Sequence, residues 1–337
     1  MKNKLKDVPY CGVRKQKIAD FPIENINLNS LDILLHFVRE RYKIHLKKDV
    51  YKKPAPWTKD EILKNFRFTN IRREHDRETR WLIKHITNNK NLSYEDKLLN
   101  CILFRLFNKH ETSELIDAPI EFSKGYDPED YRCAFVQAQK KDPHRVFFTG
   151  AFYTTGMKQG LKAYMPEDVP DTMEMRVMYF MKYLSEEGIC NLTSDSIETP
   201  KDMYDLLKSY TGIGEFLAYQ IFVDMTYIKK FPFSENEFTI AGTGAKLGLK
   251  FLFNDTAGLT HSELIFWLRD NWKALNQYNI QQGNKNQFNP KKRMTDLPEY
   301  DRVMNVMSLE NCMCEFSKYY RAYNNSGRPR KKYHKGG

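Results

Sequence analysis

The stretch Thr199–Met225, TPKDMYDLLKSYTGIGEFLAYQIFVDM, holds the clearest local signal in the chain. Thr199 followed by Pro200 predicts a helix start, because the threonine hydroxyl satisfies a free N–H of the first turn and proline brings none of its own. That helix runs to about Tyr210. Gly212 and Gly214, one residue apart, permit a tight bend, and a second helix resumes at Glu215. Backbone N–H groups at such a start point outward and suit a phosphate. A plain glycine-closed corner between two helices is the alternative.

Working outward, other helix signals surround this one. Asn29-Ser30 opens a helix with Leu31, Leu34, Leu35, Val38 and Tyr42 at helical spacing. Thr58-Lys59-Asp60-Glu61 reads as a capping box. Arg72–Ile86 reads as helix, Ser93 starts an apolar helix over Leu98–Phe107, and Met173–Leu184 is helical and Met-rich. Thr260 caps a helix carrying Leu264, Ile265, Trp267 and Leu268. Residues 118–170 are rich in turn formers, with Val146-Phe147-Phe148 either a short strand or a buried run. Gln277–Arg293 reads as a polar loop, and the tail after Asn324 as ordered only by a partner. The pattern predicts a mainly α fold, with a basic arm at 1–28, a helical domain at 29–323 and a basic tail at 324–337.

The chain has 337 residues, enough for a sizeable core, and 41% of them are apolar. Its 54 Lys and Arg against 43 Asp and Glu leave a net charge of +11. Residues 281–337 carry +7 of it and residues 1–20 carry +4. Basic ends favour a polyanion partner, since neutralising phosphates releases counterions. No apolar run reaches the roughly 20 residues of a membrane span. The six cysteines are scattered, as reduced thiols of a cytoplasm would be, and Cys312-x-Cys314 is too close-set for a zinc site. No metal is expected. Phe238–Lys246 is glycine-rich but lacks the G-x-x-x-x-G-K-[ST] order of a nucleotide phosphate loop.

Two further constellations carry chemistry. In Phe68–Arg77, a helix would place Arg73, Asp76 and Arg77 at i, i+3 and i+4, gathering two guanidiniums and a carboxylate on one face beside Asn70. A solvated ion-pair ladder is the plain alternative. In Met313–Arg321, followed by Gly327–Tyr333, basic residues including Lys318, Arg328 and Arg330 alternate with aromatics, as suits a nucleic-acid strand.

The helix–GIG–helix stretch resembles the helix-hairpin-helix of the DNA glycosylase superfamily, which implies a grip on one DNA strand and a monovalent cation as candidate ligand of the hairpin. Phe216 stands where the bifunctional members place a lysine nucleophile, so Schiff-base chemistry is disfavoured. The counterpart of their essential aspartate would be Glu237 or nothing.

A wider set of segments resembles a viral DNA hypermodification family, the alpha-glutamyl/putrescinyl-thymine pyrophosphorylases and the helical domain of 5-hydroxymethyl-deoxyuridine DNA kinases. The pieces are Phe37–Arg41, Trp57–Asp60, Phe68–Asn70 with Arg73, Asp76 and Arg77, Phe104–Asn108, Phe148–Ala151, the hairpin with Ala218, Gln220 and Asp224, Ala241–Gly248, and Cys314–Tyr319 through Gly327–Arg330. Arg72, Ser317 and Asn325-Ser326 depart from its usual pattern.

The resemblance implies a bacteriophage enzyme, in the cytoplasm of an infected bacterium, that replaces the phosphate or pyrophosphate of an activated 5-hydroxymethyl-uracil in double-stranded DNA. The incoming group is an amine co-substrate, an amino acid or a polyamine. Flipping of the target base is implied. Arg73 and Arg77 are candidates to hold the leaving phosphate, Asp76 or Glu315 to take the proton of the amine, and Lys318 to assist. Asn70 is a base-binding candidate, and Gln220 and Asp224 either read the base edge or cap the core. Gly212, Ile213, Gly214, Lys246, Arg328 and Arg330 are candidate DNA contacts. Two rival readings are a monofunctional DNA glycosylase and a non-catalytic DNA-binding partner of a DNA kinase.

Overall fold

The computed structural model describes residues 18–286, 304–327, 329 and 332. The N-terminal arm up to residue 17, Arg328 and Arg330 lie outside the described residues. Helices dominate. In chain order they are α1 (Leu28–His45), α2 (Glu61–Asn65), α3 (Arg77–Leu82), α4 (Tyr94–Phe107) and α5 (His110–Leu115). Next come α6 (Glu129–Lys141), α7 (Thr155–Gly160), α8 (Met173–Tyr183), α9 (Ile189–Leu192), α10 (Pro200–Ser209) and α11 (Glu215–Met225). The last are α12 (Thr243–Leu252), α13 (His261–Gln281) and α14 (Val306–Tyr323). Among the described residues there is no strand, only two isolated antiparallel bridges, Ile26 with Phe253 and Phe66 with Lys332.

The chain divides into two units, Met1–Asp76 with Glu235–Gly337, and Arg77–Ser234. In the first, α14 packs against α12 and α1 around Phe37, Phe316 and Tyr319, while Trp267 of α13 closes on Phe21 and Phe253. α12 and α14 approach closely at two glycines. A Cβ on Gly248 would meet Met313 O at 2.2 Å, and one on Gly244 would meet Cys314 Sγ at 2.4 Å. In the second unit α4 is the buried spine, all its residues from Leu98 to Phe107 buried, with α8 and α11 against it.

Local capping explains most helix starts. Thr199 accepts from Asp202 N while Asp202 accepts from Thr199 N at 2.7 Å, a complete capping box, and Thr260 with Glu263 repeats it. Three starts differ from the sequence reading. α1 begins at Leu28, because Asn27 rather than Asn29 accepts from Ser30 N. At α2 the cap is Asp60, whose Oδ1 accepts from Ile62 N and Leu63 N; Thr58 instead accepts from Asp60 N. The expected helix from Arg72 starts only at Arg77.

Val146–Phe148 is no strand; Phe147 and Phe148 are buried aromatic contacts of Phe135 and Phe107. Of the expected loop Gln277–Arg293, the part to Gln281 is helical, with buried Asn279 donating to Asp32 and to Asn286 O, and 287–293 lie outside the described residues. Among the described residues of the tail, Pro329 is buried and Lys332 forms a bridge with Phe66; 328, 330, 331 and 333–337 lie outside the described residues.

Candidate functional site

In the first unit, the turn Phe68–Asp76 lies between α1 and α14. Arg41 of α1 is buried, and its Nε donates to Phe68 O (3.2 Å) and Thr69 O (3.0 Å). Asn70 N donates to Asp76 Oδ1 at 2.8 Å and Asn70 Nδ2 to His75 O at 2.9 Å, which closes the turn on itself. From α14, Glu315 Oε2 accepts from Thr69 N at 3.2 Å, Asn311 Nδ2 donates to Asn70 O at 3.2 Å, and Ser308 Oγ accepts from Arg73 N at 3.4 Å. Lys318 Nζ donates to Glu315 Oε1. Asn70, Arg73, Asp76, Glu315 and Lys318, all expected from the sequence, are thereby gathered at one place.

Charge in this cluster is poorly solvated, and that sets its chemistry. Burial pushes the Asp76 carboxyl up to about 6; the Asn70 N–H, Arg41 and Arg73 pull it down, and Glu315 pushes it further up. Glu310, from the first turn and a half of α14, is buried and raised for the same reason, with Arg73 and the Gly242 N–H opposing. Its Oε1 accepts from Gly242 N at 3.0 Å, so the glycine-rich segment is spent on starting α12 against α14. Burial draws the Lys318 ammonium down, but Glu315 outweighs it and the lysine holds its proton more firmly than usual. A carboxyl titrating near 6 can exchange a proton at neutral pH. The guanidinium beside it, Arg73, is only 7% exposed, where a charged hydrogen bond to an anion is strongest.

Arg77 does not join this group through a shared helix face. Arg73–His75 forms a single 3-10 turn, and Asp76 is extended (φ −69°, ψ 145°) because its carboxylate reaches back to Asn70 N. The i, i+4 relation therefore never forms. Arg77 starts α3 in the second unit, its side chain 65% exposed, paired with Glu78 at 2.8 Å and Glu111 at 3.6 Å. Glu78, His110 and Glu111 bring their ligand atoms within 4.8 Å of one another, and His110 N and Nδ1 both donate toward Glu78. These carboxylates already serve Arg77 and His110.

Of the two expected roles for Gln220 and Asp224, the structure shows a core partner for Asp224. Both are buried on α11, and both Asp224 oxygens are held by Arg105 of α4, Nε to Oδ2 at 2.6 Å and Nη2 to Oδ1. Arg105 Nη1 also donates to Asn108 Oδ1 at 2.7 Å. Asp224 is thus the buried partner of Arg105 in the core. Arg41 and Arg105 stand in segments that carry the family resemblance but were given no role, and Glu310 was not singled out. A charged residue inside an apolar helical run, as Arg105 is in Ile102–Phe107, is the signal that would have found one of them.

The glycine bend of the second unit folds as expected between α10 and α11. Gly212 has φ +95°, and a Cβ on neighbouring Gly160 would meet its N at 2.3 Å. Ile213 is buried, whereas Gly214 is exposed and caps α11 with no side chain over the first N–H groups. Phe216 is 43% exposed, its ring 5.1 Å from that of Phe152. Lys246, in the first unit, is exposed on α12. Among the described residues no helix is long and apolar enough to cross a membrane.

Comparison with known proteins places the whole helical body. The family model described as "5-hmdU DNA kinase, helical domain" matches residues 28–328. A curated 5-hmdU DNA kinase of Bacillus phage SP10 is 22% identical over 303 residues, 84% of this chain. The chain spans 44% of that relative's length. No solved structure matches. The chain belongs to the family of the 5-hmdU DNA kinase helical domain, within viral thymine hypermodification.

Proposed function

We propose that the chain is a DNA-binding enzyme of thymine hypermodification, acting on an activated 5-hydroxymethyl-uracil base. An amine nitrogen attacks the exocyclic methylene carbon, the C–O bond to phosphate or pyrophosphate breaks, and the leaving group departs with the electron pair. Arg73 takes up the charge on the departing oxygens. Asp76 receives the proton that the amine sheds, and Glu315 with Lys318 holds the turn and balances charge. The observation that carries this reading is the turn that gathers Asn70, Arg73, Asp76 and Glu315, in which burial pushes the Asp76 carboxyl up to about 6 while Arg41 and Arg73 pull against it. Family membership supports 5-hydroxymethyl-uracil DNA as the material acted on. The exposed start of α11 at Gly214 is the proposed grip on the sugar-phosphate chain.

The test is mass spectrometry of nucleosides from 5-(phosphohydroxymethyl)-uracil DNA treated with the protein and candidate amines. Amine-substituted thymine should appear, fall steeply with Arg73→Ala, and lose its rate limb near pH 6 with Asp76→Asn. Full turnover in both variants sinks the assignment.

A second reading has its own support. The relative named a kinase extends well beyond the matched region, and Gly242–Gly248 lies against α14. The chain would then present DNA to a kinase. Intact DNA binding with no nucleoside change under any amine would favour it, and released free base would favour a glycosylase.

A further inference from the structure

The segment between α1 and α2 is basic, aromatic and outward-facing, and the site chemistry does not use it. Lys47, Lys48, Lys52, Lys53 and Lys59 stand against two acids, Asp49, whose Oδ2 meets His45 Nδ1 at 3.0 Å, and Asp60, whose carboxylate caps α2 and accepts from Tyr319. Tyr51–Pro56 are all exposed, and the Tyr51 ring is 51% accessible. The loop has a definite shape. A π-helical turn at Leu46–Val50 ends with Tyr51 N donating to Leu46 O at 2.8 Å, and Lys53 N donates to Lys47 O at 2.8 Å. Lys47 Nζ donates to Trp57 O and Trp57 Nε1 to Lys53 O, both at 2.7 Å. Lys48 Nζ lies 4.8 Å from the Trp57 ring centre and Lys53 Nζ 6.0 Å from that of Tyr51.

We infer that Lys47–Trp57 is a DNA contact in which Lys52 and Lys53 pair with phosphates of an unpaired strand and a base stacks on Tyr51. A lysine run alone is ordinarily a solvated face. Here the backbone is held by its own hydrogen bonds, Asp49 is engaged by His45, and the exposed Tyr51 has the Lys53 ammonium 6.0 Å from its ring, the pairing of cation and aromatic face by which proteins hold single strands. The inference rests on DNA being the material bound but not on the chemistry proposed above. A chain that holds the strand here and converts no base keeps this inference and loses that one.

The experiment is a salt titration of the full chain binding a labelled single-stranded oligodeoxynucleotide of mixed sequence. Lys52→Gln with Lys53→Gln should lower the slope of log K against log salt by about 1.4, two phosphates at roughly 0.7 each. Tyr51→Ala should lose about fivefold to a hundredfold in affinity with the slope unchanged. In the unsubstituted protein, the same DNA should shield Lys52 and Lys53 from amine acylation, a readout independent of how any variant folds. An unchanged slope, an unshielded pair, or full affinity in Tyr51→Ala each overturns the inference. So does a loss confined to phosphatidylserine vesicles, which would mark a membrane surface instead.

Discussion

Arg105 and Asp224 face each other inside the second unit, guanidinium against carboxylate, with both side chains buried and two parallel hydrogen bonds between them. This pair ties α4 to α11, and so ties the spine to the helix that the glycine bend launches. Asp224→Ala strands a buried guanidinium and should cost about 3–5 kcal/mol of unfolding free energy in a denaturant titration. The paired change Arg105→Met with Asp224→Leu should recover most of that loss. A base-reading role for Asp224 would instead leave stability intact and alter only activity.

Asp76 makes stability depend on pH in a definite direction. Its native pKa of about 6 lies above the ordinary 3.8, so the folded chain binds the proton more tightly than the unfolded one. Its contribution is therefore fullest below about 3.8 and is lost as pH rises through about 6. Asp76→Asn removes this dependence. Unfolding free energy of the variant minus that of the natural chain should rise between about pH 4 and pH 6 and level off above about 7.

Gly160 lies hard against Gly212, closer than any side chain allows. Gly160→Ala should force α7 and the bend apart and lower stability by about 1–3 kcal/mol, read as a fall in Tm. Gly212→Val, at φ +95°, should in addition weaken DNA binding.

Gly248→Ala tests the other close approach, in which the added methyl meets the Met313 carbonyl rather than a side chain that could turn away. A similar destabilisation of about 1–3 kcal/mol is expected. Displacement of α12 should also separate Gly242 N from Glu310, visible as a changed Gly242 amide shift by NMR.

Deletion of 326–337 removes Arg328, Arg330, Lys331, Lys332 and Lys335. DNA affinity should fall and the salt slope become shallower by about 0.9 for each duplex phosphate that is no longer neutralised.

What could be read from the sequence was what is settled within one turn of chain. The Thr199–Asp202 and Thr260–Glu263 boxes and the Gly212 bend are local arrangements between neighbours, and they stand where the residues place them. The turn before α3 was misread because the decisive hydrogen bond, from Asn70 N to Asp76, spans six residues and competes with helix. The Asn70–Arg73–Asp76 group was nevertheless legible as a cluster of residue types, and Glu315 and Lys318 as a motif on α14. The roles of Arg41, present only as the end of a resemblance segment, and of Glu310 were not, because they come from burial against elements far along the chain, Phe68 for one and Gly242 for the other.

The glycine-lined seam between α12 and α14 has a consequence for how this family can diversify. With Gly248 against the Met313 carbonyl, neither helix can slide or roll without breaking the fit there. The carboxylates on α14 therefore ride on a fixed beam. Change near these carboxylates falls instead to the short turn from Phe68 to Asp76, where single substitutions alter what lies against them and leave the girder untouched.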